Sequence, residues 1–474
     1  MLLRGRNFLF ACIAFVVLLC EAFSCSNGEP PARADFSTPL PFPAVHASVT
    51  DTAYVDGYFF VAPFNMTKGS ARAGSGMLII DGNGAIVWVK APMEASNFQL
   101  HANGKMSYFA RKQYFIMNER FEVIDSIHCI NGKEADAHEF IIRPDGKYLV
   151  MGTYKMTEDH SGFVIDEPIH WQGGKEMRVM YNVIQELEKD DTSWVEFNHE
   201  WTSRLAFRIQ DIDPVFLTDT FKTDIPHLNA FTVDEKGNFL VTAHHTNEVV
   251  YLDRTTGNAI WRLGGPRSDF AITGYPYGNF VGQHAAHVLP NGNILLFDNG
   301  YALGNKMHPA TAVEFRLDTA TKTAQTVWSY TYDNNLVSEA TGNAQRLDNG
   351  GTLVSFGKIL NSTHNVLFVV VDENKKVHLQ IELPDTLGTY RTYYYKKVPL
   401  QFNRPKMEAE QTDSSWIFRT DDAAKHLWST GQSAAAIEVA TPGTYQWFRL
   451  NADSSYTGSE PFRITEEMLM KRPE

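Results

Sequence analysis

The stretch HAAHVLPNGNILLFD, from His284 to Asp298, holds two strand patterns around a tight Asn-Gly turn. Other segments follow the same plan of a strand, a turn that ends in glycine, and an apolar strand. These glycines recur at intervals of about 40–60 residues, with one interval about twice as long. The segments are NFQLHANGKMSYF (97–109), HEFIIRPDGKYLVMG (138–152), HLNAFTVDEKGNFLVTA (227–243), HAAHVLPNGNILLFD (284–298) and NAQRLDNGGTLVSFG (343–357).

A second recurring unit supplies strands outside these hairpins. It is seen in IDGNGAIVWV (80–89), LDRTTGNAIWRL (252–263) and LDTATKTAQTVWSY (317–330). Strand hairpins that recur at this period are typical of a β-propeller. The long interval between Gly146 and Gly237 predicts one hidden unit, so we expect an all-β chain with a six-bladed β-propeller over residues 54–405.

The two ends of the chain differ from this middle part. Arg4 and Arg6 precede a short apolar run, which indicates an export signal over residues 1–25. A small residue directly before Cys25 favours a lipoprotein, lipidated at Cys25 and held at the periplasmic or cell-envelope side of a membrane. The alternative is an ordinary signal, cut near Ser24 or after Ala34. Residues 26–53 are predicted to be a tether, and residues 406–474 a separate, small Ig-like β-sandwich.

Charge and cysteine content restrict the possible functions. The formal net charge of −13 argues against sequence-independent binding of nucleic acid, which needs a basic surface. Only Cys129 lies beyond the signal and Cys25, so the mature chain has no internal disulfide framework. We expect Cys129 to be a buried structural residue.

Polar residues share one register in the repeated hairpins. His138, Asn229 and His284 each lie eight residues before their repeat glycine, and His227 lies ten before. Because alternate residues of a strand share a face, these side chains are predicted to converge at the mouth of the channel. His287 and His101 have the opposite parity and are expected to face elsewhere.

A ring of histidines is compatible with several chemistries. No carboxylate shares the register to complete a metal site, and the chain has neither a G-x-S-x-G nucleophile motif nor a glycine-rich nucleotide loop. Histidine as a covalent nucleophile, with donors around it for an anionic group, accounts best for the pattern. No metal or other cofactor is expected.

Over about residues 54–400, the chain resembles the bacterial arylsulfate sulfotransferases. The resemblance rests on DAHEFIIRPDGKYLV, on the long segment from His227 to Phe270, on GQHAAHVLPNGNILLFDNG and on NAQRLDNGGTLVS. It implies a six-bladed propeller that moves a sulfuryl group from a phenolic sulfate ester to a phenol. The transfer would be ping-pong, through a sulfohistidine. Carried over, the nucleophile is His284, the supporting histidines are His138 and His227, and Asn229 binds substrate.

One position departs from the family pattern. His244, in TAHHTNE, stands where the family usually has arginine, so the resemblance implies that His244 contacts the sulfuryl oxygens. Arginine carries a permanent forked charge, whereas histidine is charged only when its pKa is raised. Two alternatives stay open: a propeller that binds an anionic or aromatic ligand without turnover, and a metal-assisted lyase or hydrolase.

Overall fold

The computed structural model describes residues 31–470, except 36, 38, 67–74, 168, 190–193, 303–304, 334–335, 361–365, 385–386 and 421–425. The predicted signal, residues 1–25 with Cys25, lies outside the described residues. Apart from four single 3-10 turns, the regular structure in the described ranges is β-strand and one short helix, Glu466–Met470. The all-β class is therefore confirmed. No helix in these ranges has the length and hydrophobicity needed to cross a membrane.

Six sheets share a core of four antiparallel strands in meander order. Sheet 1 holds Leu387–Tyr395, Tyr58–Asn65, Met77–Asp81 and Ile86–Lys90; sheet 2 Ser96–Leu100, Met106–Ala110, Gln113–Met117 and Val123–Ile127; sheet 3 Glu134–Ile142, Tyr148–Glu158, Met177–Lys189 and Trp194–Thr202. Sheet 4 holds Leu228–Val233, Phe239–Ala243, Glu248–Leu252 and Ala259–Leu263; sheet 5 His284–Val288, Ile294–Asp298, Thr311–Asp318 and Thr323–Tyr330; sheet 6 Asn343–Arg346, Thr352–Ser355, Val366–Val371 and Val377–Glu382.

The first strand given for each sheet is called its inner strand. Each inner strand contacts the inner strand of the next sheet, and that of sheet 6 contacts that of sheet 1. The six inner strands therefore surround a common axis. Sheet 1 closes the series, because its inner strand Leu387–Tyr395 pairs antiparallel with Tyr58–Asn65 from near the other end of the described chain.

Apolar side chains fill the space between neighbouring sheets. Phe60 of sheet 1 packs on Phe98 of sheet 2, with ring centroids 4.9 Å apart. Phe59, on the other face of the same strand, packs on Phe368 of sheet 6 at 4.8 Å. Because both faces of these strands are buried, the strands read as continuous apolar runs rather than as alternating patterns. Cys129 is buried as expected, and burial raises the pKa of its thiol to about 12.

The repeat glycines take the predicted turn conformation. Their φ angles lie between +80° and +86°, a region that favours glycine. Each ends the turn between the inner strand and the second strand of sheets 2 to 6. The predicted hidden unit between Gly146 and Gly237 is wrong. Met177–Lys189 and Trp194–Thr202 are instead the two outer strands of sheet 3, so the sixth meander is sheet 1.

The segment predicted to be a tether, residues 26–53, contributes strands. His46–Val49 pairs antiparallel with Val377–Glu382 at the outer edge of sheet 6, and Ala32–Arg33 pairs in parallel with Ala436–Val439. The composition of this segment did not indicate strands. An open sheet edge, however, has unpaired N–H and C=O groups that can take up a short extra strand.

Residues 406–474 are not separate from the rest of the structure. Tyr456–Gly458 pairs with Ile86–Lys90 and extends sheet 1 to seven strands. Arg404 reinforces the junction, since its Nη1 lies 2.7 Å from Asp81 Oδ2. These residues also bury a small core of their own around Trp428 and Trp447. Their strands are Met407–Gln411, Trp416–Thr420, His426–Trp428, Ala436–Val439, Gly443–Tyr445, Trp447–Leu450, Tyr456–Gly458 and Phe462–Ile464.

Short strands complete the described structure. Lys222–Ile225 runs parallel to Met177–Lys189, and Ala271–Thr273 runs parallel to Thr323–Tyr330. Four two-stranded ribbons lie outside the meanders in the described ranges. They are Val164–Ile165 with Trp171–Gln172, Tyr301–Ala302 with Asn305–Lys306, Ser338–Ala340 with Lys358–Ile359, and Gly443–Tyr445 with Phe462–Ile464.

Candidate active site

The inner strands of sheets 2 to 5 have irregular pairing near their first residues. The register shifts between Ser96 and Gln99 in sheet 2, and between Ala135 and Phe140 in sheet 3. It shifts again in sheet 4, and between His284 and His287 in sheet 5. Bulges of this kind redirect side chains and are common beside active sites. They place polar residues at one end of the axis.

The bulge in sheet 5 reverses the parity expected for His287. His284 pairs with Phe297 and His287 pairs with Leu295, which are two positions apart on the partner strand. His284 and His287 therefore lie on the same face of the sheet, and the prediction that they face opposite ways is wrong. The reason is that the bulge adds one residue, so three steps along this strand match two steps along its partner. A strict alternation of faces therefore does not hold across the bulge.

Four histidine rings form a chain of contacts at this end of the axis. The ring centroids of His138 and His227 are 5.1 Å apart, those of His227 and His244 5.4 Å, and those of His244 and His284 5.2 Å. We call these four residues the histidine cluster. The structure thus brings together the three predicted catalytic histidines and His244. It leaves out His101, whose Nε2 is 2.8 Å from Ser107 Oγ.

Three sheets and one turn hold the histidine cluster. His138 lies within the bulge of the inner strand of sheet 3, and His284 begins the inner strand of sheet 5. His227 directly precedes the inner strand of sheet 4, and His244 begins the 3-10 turn His244–Thr246. The His244 N–H donates to the His227 carbonyl at 3.0 Å, which ties the turn to the strand start.

Strained backbone accompanies the cluster. His227 has a φ of +58°, Ala285 of +56° and Thr341 of +65°. Residues other than glycine pay a steric cost in this region, and such residues concentrate at functional sites. The strain here lies at or beside two of the four clustered histidines.

Two of the histidines have carboxylate partners. Asp136 Oδ1 contacts His138 Nδ1, and Asp224 Oδ2 lies 2.6 Å from His227 Nδ1. Although burial lowers the pKa of His227, the charge of Asp224 and its hydrogen bond outweigh burial and raise that pKa. Sequence analysis missed both carboxylates as site residues. Their spacing of two and three residues before the histidines indicated proximity, but not which ring nitrogen each carboxylate contacts.

His284 lies in a different environment. Its side chain is buried, with Nδ1 2.8 Å from Asn299 Oδ1 and 3.0 Å from the Gly282 carbonyl. The Thr341 N–H donates to Nε2 at 3.1 Å. Burial lowers the pKa of His284 to about 3, so its imidazole is neutral at physiological pH. A neutral imidazole with a lone pair on Nε2 can act as a nucleophile.

His244 is also neutral. Burial, and then the neighbouring His284 and His245, lower its pKa well below the usual range. Its Nδ1 is buried without a hydrogen-bond partner among the described residues, and Phe216 packs edge-on against its ring at 5.0 Å. His244, which stands where the arylsulfate sulfotransferases usually have arginine, therefore supplies no permanent charge.

Asn229 lies between sheets 4 and 5 and is fully buried. Its Nδ2 donates to the Gln283 carbonyl at 2.8 Å, and its Oδ1 has no partner in the described structure. Its own carbonyl accepts from Tyr390 Oη at 3.0 Å and from Arg391 Nη2 at 2.7 Å. The backbone of Asn229 thus contacts Tyr390, which packs against His138 of the cluster. Its side chain links the inner strand of sheet 4 to the residue that precedes the inner strand of sheet 5.

Arg391 supplies a permanent cation on the axis. It is buried, and Glu139 Oε2 balances it at 2.7 Å from Nη1. Tyr390, the residue before it, packs its ring against His138 with centroids 5.4 Å apart. Sequence analysis did not single out Arg391 or Tyr390, because they lie on the strand that closes sheet 1 and not in a repeated hairpin.

The part of the chain that the structure describes has no group of three His, Cys, Asp or Glu side chains arranged to hold a metal ion. Asp136 and Asp224 are near the histidine cluster, but each is used as the partner of a histidine Nδ1. The site therefore combines two acid–base pairs with two neutral imidazoles.

The model of one protein family, described as Arylsulfotransferase (ASST), matches residues 50–396. This range covers all six meanders and includes the histidine cluster with Arg391. No curated protein matches the chain closely enough to count as a relative.

Several solved structures are similar at low identity. A protein of unknown function from Bacteroides caccae is 13% identical, with a TM-score of 0.44 over 72% of this chain and 100% of that chain. A virginiamycin B lyase from Staphylococcus aureus is 9% identical, with a TM-score of 0.34 over 79% of this chain and 95% of that chain. These scores are too low to support an argument about fold or function.

Proposed function

Because the chain belongs to the arylsulfotransferase family, we propose that it moves a sulfuryl group from a phenolic sulfate ester to a phenol by way of His284. The observation that carries the proposal is the difference in protonation within one cluster. His284 is buried and neutral, while His227 is held near a carboxylate that favours its protonated form. Covalent transfer needs a nucleophile and an acid side by side.

The proposed reaction has two steps. The Nε2 lone pair of His284 forms a bond to sulfur, the bond between sulfur and the aryl oxygen breaks, and the departing oxygen takes a proton from His227. A second phenol then returns its proton to His227 and attacks sulfur, and the N–S bond breaks. His138, also paired with a carboxylate, is the second candidate for the proton. Charge placement dominates this type of transfer, as it does for phosphoryl groups.

The direct test is an exchange assay. The purified protein is incubated with 4-nitrophenyl sulfate and a second phenol, and the two products are followed. Transfer of the sulfuryl group to the second phenol supports the proposal, and release of 4-nitrophenol with inorganic sulfate alone would indicate a hydrolase instead.

A binding protein without turnover is the second candidate function. It is favoured by the hydrogen bond from the Thr341 N–H, which occupies the Nε2 lone pair of His284. Substrate has to displace this donor before Nε2 can attack. Tight binding of an aryl sulfate with neither exchange nor a covalent adduct would support this reading.

We expect His244→Arg to increase exchange at pH 8. A guanidinium would place a permanent charge beside the sulfuryl oxygens, where neutral His244 now lies. A hydrogen bond to a charged group is worth about 1.5–3 kcal/mol, which corresponds to about tenfold or more in rate. His244→Gln is the matched control and is not expected to increase the rate. A folded His244→Arg protein with reduced turnover would show that His244 has a role of its own.

We further propose that the six meanders are the blades of a closed six-bladed propeller and that residues 406–474 form an Ig-like module attached to it. The contacts between successive inner strands, including that between sheets 6 and 1, support the closed ring. The donor and acceptor phenols would then enter from the end of the axis that carries the histidine cluster.

The sequence also supports export and attachment to a membrane through a lipid on Cys25, in the periplasm or cell envelope. We expect Cys25→Ser to release the protein from the membrane fraction or to stop its processing. Fractionation followed by N-terminal mass analysis would measure this. A wild-type mature chain that begins after Ala34 would contradict the lipid anchor.

A further inference from the structure

The residue that contacts Nδ1 differs among the clustered histidines. His138 and His227 contact the carboxylates of Asp136 and Asp224. His284 contacts the amide oxygen of Asn299 at 2.8 Å. All three partners are hydrogen-bond acceptors, but only the partner of His284 is neutral. An acceptor therefore contacts Nδ1 in all three histidines, but it is a charged carboxylate in two of them and a neutral amide in the third.

Neighbouring groups fix which way the Asn299 amide points. Its Nδ2 donates to Ser338 Oγ at 2.8 Å and to the Thr341 carbonyl at 3.0 Å. The Ser338 hydroxyl donates its hydrogen to the Phe356 carbonyl at 2.7 Å, so its oxygen can only accept a hydrogen bond from Asn299. The NH₂ group of Asn299 must face these acceptors, and its oxygen must face His284.

The orientation of Asn299 determines the tautomer of His284. The Asn299 oxygen and the Gly282 carbonyl, at 3.0 Å, both accept, so Nδ1 must carry the hydrogen. The Thr341 N–H donates to Nε2, so Nε2 must carry the lone pair. Contacts on both sides of the ring thus select one neutral form, and it is the form in which Nε2 is nucleophilic.

The charge around His284 favours the same state. The titratable side chains that face it are His138 from sheet 3, His227 from the start of sheet 4 and His244 from the turn between the second and third strands of sheet 4. Protonation of His138 or His227 would repel a proton on His284. Among the described contacts of the His284 ring, none is with a carboxylate.

We propose that Asn299 is the positioning residue that makes His284 the nucleophile of the cluster, because its neutral amide fixes the Nδ1–H tautomer and stabilises a protonated ring less than a carboxylate in the same place would. His227, with a carboxylate in the equivalent place, is the histidine whose protonated form is favoured instead. This division of roles rests on the proposed sulfuryl transfer. The tautomer and protonation of His284 do not depend on it and can be measured without turnover.

The first test is the tautomer of His284 in the unchanged protein. Histidine labelled with ¹⁵N in the ring is incorporated, and the His284 signals are assigned by their loss in His284→Asn. We expect a protonated Nδ1 and an unprotonated Nε2 from about pH 5 to pH 9. A signal for the Nε2–H tautomer, or a ring that gains a proton near the usual histidine pKa of about 6.5, would overturn the proposal.

The second test replaces the neutral partner by a charged one. Asn299→Asp is expected to raise the pKa of His284 by about 1–3 units, as an opposite charge at this distance does. The acid limb of the exchange rate should move to higher pH by the same amount. A merely structural defect would lower the rate at every pH. An unmoved pKa of His284 in the folded variant would refute the positioning role.

Asp224→Asn is the matched control for this exchange of partners. It should lower the pKa of His227 and leave the tautomer of His284 as it was. If both variants shift their histidines as expected but no aryl sulfate is turned over, the positioning role stands and the proposed function fails. If exchange occurs while neither histidine responds, the function stands and the positioning role fails.

Discussion

His284→Asn is expected to abolish sulfuryl exchange, with a loss of at least about 10⁴-fold. The asparagine amide nitrogen has no lone pair available for attack, so no N–S bond can form. The covalent adduct should disappear together with turnover. The measurement combines the exchange assay with mass spectrometry of protein treated with donor alone at mildly alkaline pH, where a sulfuryl group on imidazole lasts longer.

His287→Asn is the matched control. His287 lies on the same strand and the same face as His284, but its Nδ1 is directed at the Ala285 carbonyl, 3.2 Å away, and its ring is not among the contacts of the histidine cluster. We expect this variant to retain the adduct on His284 and most of the activity. An adduct on His287, His138 or Cys129 would contradict the assignment. Undiminished turnover by His284→Asn would exclude the covalent route altogether.

With phenyl sulfate as the donor, His227→Asn is expected to lower the exchange rate by about 10²–10⁴-fold, the usual contribution of a positioned acid. The wild-type rate should fall as pH rises through the pKa of His227, because the leaving phenolate needs its proton. Since Asp224 raises that pKa, the fall should begin above the usual histidine range. His284, with a pKa of about 3, stays neutral across these conditions and adds no limb near neutral pH.

The leaving group gives an internal check on His227. A 4-nitrophenolate leaves readily without a proton, whereas an unsubstituted phenolate does not. His227→Asn should therefore slow transfer from phenyl sulfate far more than transfer from 4-nitrophenyl sulfate. An equal loss with both donors would indicate that His227 binds the sulfuryl oxygens and does not act as an acid.

Much of the fold could be predicted from local pattern. The turn glycines Gly146, Gly237 and Gly292 mark the inner hairpins correctly, because their left-handed φ is a requirement of the turn itself. Sheet 1 escaped prediction, since its inner strand Leu387–Tyr395 pairs with a strand more than three hundred residues earlier. No local signal reports such a pairing.

The candidate site was predicted in part, and partly for an incorrect reason. His138, His227 and His284 do come together, yet the parity argument behind them fails at the bulges, as His287 shows. The resemblance to a family, and not the register, identified His244. Asp136, Asp224 and Asn299 were missed because their roles depend on the nitrogen that each one contacts. That choice is set by bulges and neighbouring strands and cannot be read from spacing alone.

The candidate site needs the strand Leu387–Tyr395, which comes last among the meander strands in the sequence. It brings Tyr390 and Arg391 to the Asn229 carbonyl, so the centre of the molecule is finished by one of the last meander strands to be synthesised. Pairing between such distant segments makes folding slow, because closing a large loop costs chain entropy before the new contacts can stabilise the structure. A chain shortened before residue 387 could build five meanders but not a finished centre. We therefore expect the site to be complete only after this strand has paired, and a chain that ends before it to show no exchange.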